Sequence, residues 1–304
     1  MASVSSIPIE LYRPIVEFVE DCRDLLTLCL VCRAMRDEAE RILYSVVELT
    51  TATQSVAIQL NSNQRQRRHI QHLSIATLSI RYAPDVLATL LGTLPASLAT
   101  LNLFDAQLGL RFYVTLSECY FPRLKEFTCT SRDTDWIPED IPTSATALAN
   151  QRFITFLENH PTIEKLFWKG RRQQISNGKR IFVPETLPRL RLLDAAAVLV
   201  VPLLGPRSIT HLSVQESHQL PPLRYLTSMV QLIAFECHET SSDGPLMEIL
   251  SLAPQLKFFG TVYIGYNYSV SFTVNGCRGS DKVSTIIATL RLLSGRTWQS
   301  ILVS

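Results

Sequence analysis

The sequence predicts an α/β protein in two unlike parts: a small N-terminal module of three helices over residues 1–50, then an irregular α/β solenoid over residues 51–304. Three observations predict it. Short apolar patterns at helical spacing fill the first fifty residues. A six-residue apolar motif then returns eight times. The charge also changes sign: residues 1–50 carry five basic and nine acidic side chains, net −4, which leaves +6 for the rest of a chain of net charge +2.

The elements follow in order. Ser5 or Ser6 can cap a first helix, and Pro8 suits its first turn, where a missing N–H costs nothing. Leu11, Ile15, Phe18 and Val19 form one face of it. A polar break, Glu20-Asp21-Cys22-Arg23, follows. Asp24 as N-cap predicts a second helix from Leu25, carrying Leu28, Cys29, Val31 and Cys32. Met35, Ala39, Ile42 and Leu43 give a third, and Val46–Leu49 reads as a strand. Three short helices cannot enclose a large core. Their apolar residues, Leu25, Leu26, Leu28, Leu30 and Val31 among them, spread around the helical wheel, so the rest of the chain or a partner must cover some of that surface.

These residues carry a resemblance. Pro8-Ile9-Glu10-Leu11 with Pro14-Ile15-Val16 resembles the opening of an F-box, and Asp24 to Arg33, DLLTLCLVCR, resembles its centre. Arg36 to Leu49 is similar to the ending common in fungal F-box proteins. Two positions depart: Ile7 stands where Leu usually precedes the Pro, and Met35 where Trp is common. Met fills an apolar pocket with less area and no indole N–H. The alternative is a helical cap on the solenoid with no docking role.

The repeated motif has apolar residues at its first and fourth positions and an apolar or small one at the sixth. It occupies residues 70–75, 98–103, 124–129, 163–168, 190–195, 209–214, 230–235 and 256–261. Pro95, Pro122, Pro161, Pro188 and Pro254 stand ahead of five of them with one or two residues between, where Pro ends a helix and sets a turn. The fourth positions are 73, 101, 127, 166, 193, 212, 233 and 259, spaced by 28, 26, 39, 27, 19, 21 and 26. Leucine-rich repeats run about 20–29 residues. The chain therefore resembles a degenerate leucine-rich-repeat-like solenoid, with the usual repeat Asn largely missing. The gap of 39 holds Trp136-Ile137-Pro138-Glu139-Asp140-Ile141-Pro142, which reads as an inserted loop.

Helical faces fall between the motifs at Val86-Leu87-Leu90-Leu91, at Leu148-Phe153-Phe156-Leu157 and at Leu246-Ile249-Leu250-Leu252. From Val262 to Val274 apolar residues alternate strictly, which predicts a hairpin turning near Gly265 to Ser269. Val283, Ile286, Ile287, Leu290 and Leu293 predict a closing helix.

Chemistry is sparse. A net charge near zero argues against nucleic-acid wrapping or membrane-surface binding. No apolar run reaches the ~18 residues of a membrane span, and the N-terminus lacks the basic and apolar regions of a secretory signal. Seven cysteines without framework spacing fit a reducing cytoplasmic or nuclear setting. Cys29 and Cys32 form a Cys-x-x-Cys with no second pair near, so two buried helix cysteines are expected rather than a zinc site. No phosphate loop, dinucleotide fingerprint or nucleophile elbow occurs, so neither enzyme activity, cofactor nor metal is expected. The basic clusters Arg65–His69 and Arg171-Arg172 with Lys179-Arg180 read as solvated loops or as a patch for an acidic partner.

The resemblance implies a substrate-recognition subunit of a cullin–RING ubiquitin ligase of the SCF type, not itself catalytic. Its F-box would bind a Skp-family adaptor through Pro8, Leu11, Ile15, Leu28, Val31, Cys32 and Met35. Strand alternation points the residues flanking each central apolar position outward. That selects His72, Ser74, Thr100, Asn102, Glu126, Thr128, Lys165, Phe167, Asp194, His211, Ser213 and Glu236 for a substrate protein. The rival expectation is a repeat scaffold for protein interactions whose N-terminal helices only cap it.

Overall fold

The computed structural model describes residues 8–50, 54–76, 84–104, 110–130, 143–169, 186–196, 208–215, 233–237, 258–264, 268–275, 285–292 and 297–303. The chain divides into two compact units, Met1–Leu124 and Lys125–Ser304.

The first unit begins with α1 (Ile9–Glu17), α2 (Cys22–Val31) and α3 (Arg33–Leu43). It continues through β1 (Val46–Leu49), α4 (Gln54–Ser62), α5 (Gln64–Arg67), β2 (His72–Ala76), α6 (Pro84–Thr93), β3 (Thr100–Phe104) and α7 (Leu110–Glu118). The second helix starts three residues earlier than expected. Asp21, not Asp24, is its cap: the carboxylate accepts the Arg23 N–H at 2.7 Å, and Asp24 sits in the first turn, where its charge suits the helix dipole. The expected cap at Ser5 or Ser6 lies outside the described residues.

β1, β2 and β3 are parallel neighbours. Val47, Leu73 and Leu101 stand in register, as do Leu49, Ile75 and Leu103, and all six are buried. The strand after the third helix is therefore the first strand of the repeat sheet, which its motif-poor sequence did not announce. Entry into each strand follows one pattern. The Ser45 carbonyl accepts the N–H groups of Gln71 and His72, and the Gln71 carbonyl those of Ala99 and Thr100, at 2.7–3.0 Å. α4 and α7 were not expected. Ala57 and Leu60 in α4, and Tyr113 and Leu116 in α7, are buried at helical spacing and were the available signal.

The second unit holds β4 (Glu126–Thr130), α8 (Thr143–Glu158), β5 (Lys165–Lys169), β6 (Leu192–Ala196), β7 (His211–Gln215), β8 (Ala234–Cys237) and β9 (Phe258–Ile264). β4 to β9 are consecutive parallel neighbours. Phe127, Leu166, Leu193 and Leu212 stand in register and are buried. The same carbonyl pattern recurs at Lys125, Glu164 and Arg191. Seven of the eight motifs thus place a strand two residues after their first apolar residue, as the spacing predicts. The long helix α8 lays Phe153 and Phe156 on Phe127, with ring centroids 6.1 and 4.9 Å away, and Phe153 stacks on Trp168 at 3.9 Å.

The chain closes with β10 (Tyr268–Asn275), β11 (Thr285–Leu292) and β12 (Thr297–Val303), antiparallel to one another and to β9. The β9–β10 hairpin is the one that alternation predicts. The expected closing helix is instead the strand β11. Ile286 and Leu290 suit both periods, but Thr285, Ile286 and Ile287 are β-branched, stiff at χ1 and favoured on a pleated surface. β10 on one side and β12 on the other pair with its backbone. The expected loop at residues 136–142 and the helix at 246–252 lie outside the described residues. No helix among the described residues is long and apolar enough to cross a membrane.

Candidate docking surfaces

The three N-terminal helices have two apolar surfaces. Inside, Val16, Leu25 and Ala39 are buried together, and Val19, Leu28, Cys29, Ile42 and Leu43 pack against them. Outside, Leu11 (49% exposed), Ile15, Phe18 (87%), Leu26, Leu30 (81%) and Val31 (61%) face solvent. Isolated exposed leucines are ordinary, but six large apolar residues exposed along α1, its C-cap and α2 are not.

Five of the residues expected to meet an adaptor are exposed: Pro8, Leu11, Ile15, Val31 and Cys32. One is corrected: Met35 is buried at 9% exposure. Leu28 is half-buried against the module's own core. Both lie on inner helix faces, where apolar side chains serve the module's own packing first. Phe18, Leu26 and Leu30 were missing from the expected set although they are its most exposed neighbours; the signal was the Leu26–Leu30 spacing of four.

The cysteine expectation is also corrected. Cys32 is exposed and lies between two helices, with extended backbone, so it cannot be a buried helix residue. Its sulfur accepts the Met35 N–H at 3.5 Å as the N-cap of α3. The Arg36 guanidinium donates to the Cys29 carbonyl at 2.8 Å, which ties up the end of α2. Among the described residues no group of three or more His, Cys, Asp or Glu could hold a metal ion.

Ion pairs brace this corner. Glu38 accepts from Arg41 at 2.8 Å and from Arg13 of α1 at 3.2 Å, and Arg41 also reaches Glu17 of α1 at 2.7 Å. Burial alone would raise the Glu38 pKa; hydrogen bonds from Arg41 and Arg13 outweigh it and hold the carboxyl below its ordinary range. On the far side of α3, Arg65 pairs with Asp37 and Glu40, both at 2.8 Å. The basic cluster at Arg65–His69 is thus not a solvated loop awaiting a partner. It begins in the short helix α5, and acidic residues of α3 already take up Arg65 and approach Arg68. The second basic cluster lies outside the described residues.

The outward rows of the repeat strands are the second surface. In the first unit His72 bonds Thr100 at 2.9 Å, and Asn102 donates to Ser74 at 3.2 Å. In the second unit Lys165 pairs with Glu126 at 3.1 Å. Thr128, Phe167, Asp194, Ser213 and Glu236 stand in register on successive strands. His72, Lys165 and His211 are exposed; Ser74, Thr100, Asn102, Glu126, Phe167, Asp194 and Ser213 are half-buried. Thr128 is a correction, being only 8% exposed. Its short side chain stands in register with the bulky Phe167. The side chain of Glu236 lies outside the described residues.

No protein-family model matches the chain, and no curated protein does. Among solved structures, internalin C2 from Listeria monocytogenes aligns over 69% of this chain and 82% of its own, at 15% identity and a TM-score of 0.38. A likeness that distant bears on neither partner nor activity. The repeat architecture rests on the register of the strands themselves.

Proposed function

We propose that the N-terminal module is an F-box that docks a Skp-family adaptor, and that the repeat strands hold a substrate protein for a cullin–RING ubiquitin ligase. The chain is not itself catalytic on this reading. It would act by raising the local concentration of substrate beside the charged ubiquitin carrier. The observation that carries the reading is a second set of apolar side chains on α1 and α2: Leu11, Ile15, Phe18, Leu26, Leu30 and Val31 remain exposed after the module has built its own core. A helical cap needs only one apolar face. The F-box resemblance of Pro8–Val16 and Asp24–Arg33 falls on the same two helices. Binding there would bury about 1.5–3 kcal/mol of apolar side chain per anchor.

The coarser reading, a repeat scaffold for protein interactions, is favoured by β1, which joins the module to the sheet as its first strand. The two readings separate by experiment. Affinity purification of the tagged chain with mass spectrometry recovers a Skp-family adaptor and a cullin if the F-box reading holds. Substrate proteins without the adaptor would leave the scaffold alone standing. The cellular setting that goes with the proposal is cytoplasmic or nuclear.

A further inference from the structure

The two units differ in their choice of cation. Residues 1–124 carry eleven arginines and no lysine. All six lysines (Lys125, Lys165, Lys169, Lys179, Lys257 and Lys282) belong to the second unit, beside twelve arginines. At that ratio about four of the eleven positions would be lysine, so an even preference for arginine does not account for the gap.

Ion-pair geometry accounts for part of it. Arg41 spans Glu38 and Glu17, and Arg65 spans Asp37 and Glu40, each through two nitrogens of one guanidinium. Arg67 donates to the carbonyls of Leu60 and Asn61 in the last turn of α4. A planar fork suits such bridges better than a single ammonium. Arg23, Arg33 and Arg123 are different. They are exposed, and among the described residues their side chains have no hydrogen-bond or ion-pair partner. A lysine would supply the same charge there.

What separates the two side chains at such places is nucleophilicity. A lysine amine that has lost its proton can attack the thioester carbon joining ubiquitin to its carrier's cysteine. A C–N bond forms, the C–S bond breaks, the sulfur leaves as thiolate and the amine proton passes to water. A guanidinium stays protonated and does not react in this way. On the F-box reading, the N-terminal module holds the first unit beside that charged carrier. Only two residues join α3 to β1, so the first repeat strands come with it.

The first amine in the chain stands at the start of the second unit. Lys125 is exposed, and among the described residues its side chain has no partner. Its backbone is fixed, because its carbonyl accepts the N–H groups of Glu164 and Lys165 at 2.8 and 3.0 Å. Lys165 is exposed too, but its Nζ is held by Glu126 at 3.1 Å. The other four lysine side chains lie outside the described residues.

We propose that the first unit is kept free of ubiquitin acceptors, so that a chain docked on the ligase is not tagged there, and that its own modification falls on Lys125. This rests on the F-box reading, and one experiment tells the two failures apart. The full chain is combined with recombinant Skp-family adaptor, cullin–RING core and ubiquitin-charged carrier, and its tryptic peptides are analysed by mass spectrometry for the diglycine remnant. The natural chain should carry the remnant at Lys125, and Lys125→Arg should lose it and slow total conjugation. Arg68→Lys and Arg123→Lys, both at exposed positions outside the three-helix module, should each gain a remnant at the substituted position. Adaptor binding and melting curves should be unchanged in both. If either substituted position stays unmodified while Lys125 is modified, the first unit is shielded by its geometry and not by its composition, and the inference is overturned. A chain that binds the adaptor yet carries no remnant at Lys125 overturns it as well, and leaves the F-box reading standing. A chain that binds no adaptor in calorimetry overturns both.

Discussion

His160 occupies a place that two other turns fill with hydrocarbon. Phe121, His160 and Leu187 each accept, through the backbone carbonyl, the N–H of the residue three places on, and each is followed by a proline. All three are at most 1% exposed. The imidazole lies 4.2 Å from the ring of Phe156 and bonds its carbonyl at 2.6 Å. Burial pushes its pKa below the ordinary imidazole value, and the carbonyl offsets this only in part. In the unfolded chain a histidine takes up its proton near pH ~6.5. The unfolded state therefore binds more protons as pH falls through that value, and the fold loses stability from there down to the lowered folded pKa. His160→Leu, which copies the residue at position 187, should shrink the fall in urea midpoint between about pH 7.5 and about pH 5.5. An unchanged fall would show that His160 does not contribute to it. Nearby, Phe156→Ala should cost about 3–5 kcal/mol in the same measurement, because its ring fills the space between Phe127 and Phe153.

Helix ends and braces act at the scale of the element. Asp21→Ala should cost about 1 kcal/mol of stability by freeing the first N–H groups of α2, whereas Asp24→Ala should cost less. Glu38 contributes through its charge. Its folded pKa is depressed, so its stabilisation is present above the unfolded carboxyl value near ~4.3 and disappears as pH falls through the folded value. Glu38→Gln should thus cost about 1 kcal/mol or less at neutral pH and nothing in acid, read by thermal melts at both. Much of this scale was legible in the sequence. The third helix, the strand at 46–49, the helix faces at 90–91 and 153–157, and the 9–10 hairpin all follow from periodicity. What was not legible has physical causes. Asp21 and Asp24 are equally good caps, and sequence cannot say which one the chain reaches first. Ile286 and Leu290 fit a helix and a strand alike, and only the pairing of β11 with its neighbours decides. Leu28 and Met35 are as apolar as Leu30 and Val31, yet packing turns the first pair inward.

Across the whole molecule, the repeat spacing located seven strand starts because a register of buried residues must recur at the same place in each turn. The candidate site was legible only in outline. The motif marked the right two helices, but which of their residues remain exposed depends on how α1, α2 and α3 meet. The outward strand rows were marked by alternation, yet His72 with Thr100 and Lys165 with Glu126 bond sideways to each other rather than standing free. Only two residues separate α3 from β1, and Arg65 ties α3 to α5 through Asp37 and Glu40. A docked adaptor would therefore be held in a fixed orientation to the first repeat strands.

On the F-box reading, the exposed apolar side chains of α1 and α2 are a docking site and not the outer side of a cap. Titration of the purified chain with a recombinant Skp-family adaptor, followed by calorimetry, tests it directly. Binding by the natural sequence is expected, with a loss of at least about tenfold for Leu11→Asp and for Leu30→Asp and unchanged melting curves. Leu28→Asp is the wrong probe, since it would unfold the module. No heat of binding from the natural sequence, or equal binding by the folded aspartate variants, would contradict it.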